Sequence, residues 1–70
     1  MDEQALLQRL SVDTHVNIEL LRALLHNHEI RALVAANKLN EAVVKIRAID
    51  PSVGLGQAKI IVAEFSVESK

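Results

Sequence analysis

The imidazoles of His15, His26 and His28, together with the hydroxyls of Ser11, Thr14, Ser52, Ser66 and Ser69, are the first groups in this 70-residue chain to weigh for nucleophilic, proton-transfer or metal chemistry. A nucleophilic hydroxyl needs an adjacent base and a sharp turn that presents it, and none of the five sits in such a pattern; there is no cysteine to take the role. Metal-binding helices place ligands at i and i+4 so that both face one way, whereas His26 and His28 are two apart and diverge on a helix. The polar run "HNHE" reads instead as a wet helix junction, where an imidazolium is favoured by a helix C-terminus. These residue types predict a non-enzymatic chain with no metal and no cofactor.

Two of the four lysines and both glycines fall in "VVKIRAIDPSVGLGQAKIIVAEF", residues 43 to 65. A phosphate loop needs more glycines after a strand and a Lys-Ser/Thr step, so "GLG" predicts only a tight connection. Gly54 is expected to let backbones approach and to start the last helix, with Gly56 keeping its first turn narrow. Lys45 stands four residues after Glu41, the favourable order for a surface ion pair of about 0.2–0.5 kcal/mol. The lysines are therefore either solvated decoration or the edge of a binding face.

The elements that must position them are helical. "DEQALLQRL" predicts a first helix over residues 2 to 10, with Asp2 and Glu3 in its first turn and Leu6, Leu7 and Leu10 on one side. Ser11, Asp13 and Thr14 are N-cap types before a second helix with apolar positions at 16, 18, 20, 21, 24 and 25. The apolar phase breaks at "HNHE", so a third helix spans about 28 to 36, and Asn37 can take the left-handed conformation that ends it. Asn40 is expected to cap a fourth helix, with Leu39 stapled against Val44 and with Leu39, Ala42, Val43, Ile46 and Ile49 at helical spacing. "DP" stops it. A fifth helix starts near Gly54 or Leu55 and carries Ala58, Ile61, Val62 and Phe65 on one stripe. The β-formers of "KIIVAEFSV" could make a strand, but the 58, 61, 62, 65 spacing favours a helix. The reading is a single all-α domain over 1–70, a compact bundle of four or five short helices: N-terminal helices over 1–27, a C-terminal helical hairpin region over 28–66, and a polar tail over 67–70.

A chain this short buries only about 60% of the surface it exposes when unfolded, and without cysteine no disulfide can reinforce it. Self-association is a natural remedy, and the apolar face of residues 16 to 25 is broader than one short helix needs. Ile18, Leu21 and Leu25 are the residues through which two copies would pair. Eight Lys and Arg against nine Asp and Glu give no field that would steer nucleic acid or a membrane surface. A helix-turn-helix reading with residues 55 to 65 in a groove is disfavoured, because that helix is mainly aliphatic. No apolar run reaches bilayer length and Met-Asp-Glu is the wrong sign for a secretory leader, so a cytoplasmic protein is expected.

From residue 28 to about 62 the chain resembles the helical hairpin in the C-terminal domain of the bacterial ribosomal stalk protein and short bacterial proteins related to it. That family has a helix ending in Ala/Val-Ile-Lys, a Thr-Gly-Leu-Gly-Leu turn, and Ala-Lys followed by a valine. Lys45 matches the first lysine, Gly54 and Leu55 the second glycine and its leucine, and Ala58, Lys59 and Val62 the later positions, without a gap. Ser52 stands where the family has its first turn glycine, the family's arginine falls at Ala48 or, with one insertion, at Arg47, and the family's strands have no counterpart. In the stalk protein the hairpin recruits translational GTPases. The resemblance implies a partner protein bound through Lys45, Arg47, Gly54, Leu55 and Lys59.

Overall fold

The computed structural model describes residues 2–68, and among them the regular elements are five helices. They are α1 (Glu3–Thr14), α2 (Ile18–Leu25), α3 (His28–Ala35), α4 (Leu39–Ile49) and α5 (Leu55–Glu68). The all-α architecture is the expected one, and "KIIVAEFSV" lies within α5. No described residue forms a strand.

Each helix turns its apolar stripe inward. Leu6, Leu7 and Leu10 of α1 meet Leu21 and Leu24 of α2, Ile30 and Val34 of α3, Ala42, Val43 and Ile46 of α4, and Ala58, Ile61, Val62 and Phe65 of α5. The linkers add Val16 and Val53. A fully buried aliphatic side chain contributes about 1.5–3 kcal/mol of transfer free energy, so an almost wholly aliphatic core can hold a short chain.

The first junction differs from the sequence expectation. α1 runs on to Thr14, and Ser11 and Asp13 lie inside it rather than capping α2. Thr14 stands one turn after Leu10 and extends its buried face; its hydroxyl donates to the Leu10 carbonyl (2.7 Å), which makes burial tolerable. The Ser11 hydroxyl donates to the Val16 carbonyl (2.8 Å), and His15 ends the helix in the left-handed region at φ 60°. Asn17 takes the capping role, its Oδ1 accepting from the Glu19 N–H at 2.7 Å.

α3 begins and ends where its signals place it. Asn27 caps it by accepting from the Ile30 N–H (3.0 Å). At its end Lys38 N–H donates to the Leu33 carbonyl (2.8 Å) and Asn37 N–H to that of Val34 (3.0 Å), with Asn37 at φ 61°. This is the Schellman arrangement. It delivers the chain into α4 after a single further residue, so α4 starts at Leu39 with Lys38 at the cap position. Asn40 is consequently inside the helix, and Val44 is 68% exposed and cannot staple against Leu39.

The hairpin between α4 and α5 forms around "DPSVG". Asp50, ahead of the proline, is extended (φ −139°, ψ 98°), and its carboxylate accepts from the N–H (2.9 Å) and hydroxyl (2.6 Å) of Ser52. Those two bonds hold the Asp50 carboxyl below its usual range. α5 then carries helix through Val67 and Glu68, beyond the expected start of the tail; positions 69 and 70 fall outside the described residues.

Candidate protein-interaction surface

Lys45 is half-buried and its ammonium lies 2.8 Å from a Glu29 carboxylate oxygen, so it ties α4 to α3 instead of pairing along its own helix with Glu41. The Lys45 hydrogen bond, its charge, and a smaller contribution from His28 hold the Glu29 carboxyl below its ordinary value. Beside this pair a shallow groove of about 370 Å³ runs between α3 and α4. Its lining is apolar at Leu33, Val44 and Ala48 and polar at Asn40, Glu41 and Lys45.

Only Lys45 among the five nominated hairpin residues lines that groove. Arg47 is exposed but lies two residues further along α4 and diverges from Lys45. Leu55 is 50% exposed at the start of α5, with the exposed Lys59 one turn further along the same side. Gly54 serves the helix start: its N–H donates to Gln57 Oε1 (2.7 Å), and its carbonyl accepts from Ala58 N–H (2.9 Å). The Gln57 amide in turn donates to the Thr14 carbonyl, docking the hairpin turn on the end of α1.

Gly54 thus starts the last helix as expected, but neither glycine works through close packing. Neither has positive φ, and a Cβ on Gly54 would meet a Gln57 side-chain oxygen at 3.0 Å, not backbone. At Gly56 a Cβ would meet nothing within 4 Å, so no close packing narrows that turn.

The residues expected to join two copies sit largely inside one. Leu21 is 0% exposed in the chain's own core, and Ile18 and Leu25 are half-buried against it. The apolar face of α2 is broad because α1 and α3 both cover it, a tertiary fact that the periodicity of one segment does not carry. Of the histidines, His26 places Nε2 3.1 Å from a Glu3 carboxylate oxygen, linking the end of α2 to the start of α1. His26 and His28 also rim a second cavity of about 760 Å³, with Glu3, Arg31, Leu25 and Phe65 among its lining. Among the described residues no three or more His, Asp or Glu side chains are grouped to hold a metal ion. No helix there is long and apolar enough to cross a membrane.

Sequence reasoning missed Leu33, Val44 and Ala48 as groove residues. The available signal was Val44, an apolar residue out of phase with the buried stripe of 42, 43 and 46. No protein-family model, curated protein or solved structure matches this chain.

Proposed function

We propose that this protein is a non-enzymatic interaction module whose C-terminal helices bind another protein, with the α3–α4 groove as the receiving surface. The observation that supports this is Val44, 68% exposed in the lining of a shallow groove that Lys45 and Glu41 also line. A shallow apolar channel with both charges in its lining fits an amphipathic helix laid lengthwise. The stalk-like hairpin sequence supports a translation-associated partner in a bacterial, cytoplasmic setting, with Arg47, Gly54, Leu55 and Lys59 on the flanking hairpin surface.

A photo-crosslinking residue at Val44, compared with one at the exposed Ala23 on α2, tests this in the native host's lysate. A discrete adduct from position 44 only, lost when Lys45→Glu is added, is the expected result, and its mass identifies the partner. Equal labelling from both positions overturns the reading.

A further inference from the structure

Two contacts fix how α1 and α5 lie together. Thr14 meets Gln57, and Arg9 pairs with Glu64, so the helices run antiparallel with Val12 level with Ile60 and Ala5 level with Val67. Their outward side is unusually apolar. Val12 is 73%, Ile60 44% and Val67 66% exposed, and Ala5 and Ala63 are exposed beside them. The Arg9–Glu64 pair crosses the middle of this strip.

We infer that this α1–α5 face binds a second copy of the same chain. The strip is self-complementary about a two-fold axis lying between the helices and parallel to them. Rotation about that axis sets each α1 over the α5 of the second copy, preserving the level of every residue. Val12 then faces Ile60 of the second copy, Ala5 faces its Val67, and Arg9 faces its Glu64. An isologous contact requires such matching, in which residue i meets j and j meets i. A short chain that lacks disulfides gains from the extra burial, and two helices per copy make a contact at the small end of stable interfaces, hence reversible. The groove between α3 and α4 stays open, so this pairing stands independently of the hairpin reading.

Sedimentation equilibrium over a concentration series, with far-UV circular dichroism to verify folding, tests the inference. The wild type is expected to approach twice its monomer mass at high micromolar concentration. Val12→Glu, at an exposed position, should remain helical and monomeric. Arg9→Glu and Glu64→Arg should each weaken self-association about tenfold, the size expected for two like-charge surface contacts per dimer. Mixed in equal amounts, those two variants should regain it, since each copy then offers the charges that the other lacks. An intrachain pair cannot be rescued by mixing. A wild type that stays monomeric, a Val12→Glu dimer, or charge variants that are unaffected or unrescued would overturn the inference.

Discussion

Lys45 of α4 is bonded at 2.8 Å to Glu29 of α3, sixteen residues upstream in sequence, while Glu41, one turn away on its own helix, is left to the groove lining. Lys45 thus joins that lining already paired, beside Glu41 of the same helix. An acidic partner group therefore has to compete with Glu29 for Lys45, whereas a basic one meets Glu41.

Because the Glu29 carboxyl is held below its ordinary value, its contribution to stability is present above the ordinary carboxylate range and is lost as pH falls through the lowered value. The side-chain carboxyl carbon resonance of Glu29 should titrate below the ordinary glutamate value. In Lys45→Met it should move back up; an unchanged titration would show that the ion pair does not form in solution.

Gln57 holds both the start of α5 and the end of α1. Gln57→Ala should cost about 1–2 kcal/mol, two side-chain hydrogen bonds at their usual net worth. Gln57→Glu keeps the acceptor for the Gly54 N–H but sets a carboxylate oxygen against the Thr14 carbonyl, so it should cost at least as much. Urea unfolding followed by circular dichroism measures both, since the chain has no Trp or Tyr to report by fluorescence.

Gly56 occupies an open helical position, and Gly56→Ala should stabilise the chain by about 0.4–1 kcal/mol. His15 is the opposite case, with a branched ring side chain at φ 60°, where His15→Gly should gain up to about 1 kcal/mol. Asn37→Gly should gain less, because asparagine already tolerates that region. A drop in the unfolding midpoint for Gly56→Ala would mean that the site is less open than described.

Leu21 and Leu25 separate core from rim. Leu21→Ala should cost about 2–5 kcal/mol through the cavity it leaves, and Leu25→Ala clearly less, since Leu25 is only half-buried. Equal losses would place both in the same environment.

The helices were legible because their evidence is local. The 58, 61, 62, 65 stripe, the Asn37 stop and the proline after Asp50 each act within a turn or two of themselves. What escaped was competition between adequate local signals. Ser11, Asp13, Thr14 and Asn17 all suit a helix start, and only the burial of Thr14 against the core decided for Asn17. Asn40 lost its capping role to a Schellman turn that left no room before Leu39. The groove escaped for a similar reason: Leu33 and Val44 lie on different helices, and nothing in either segment announces their juxtaposition.

The antiparallel register of α1 and α5 also sets the order in which the chain can fold. α3, α4 and α5 each dock on a near neighbour and can close quickly, but the Arg9–Glu64 contact spans 55 residues. Leu6, Leu7 and Leu10 can dock on Leu21 and Leu24 as soon as α1 and α2 form, whereas the α5 stripe with Ile61 and Phe65 completes the cluster only later. Until α5 docks, the side of α1 that will receive it stays open to water, and a chaperone would find the chain there.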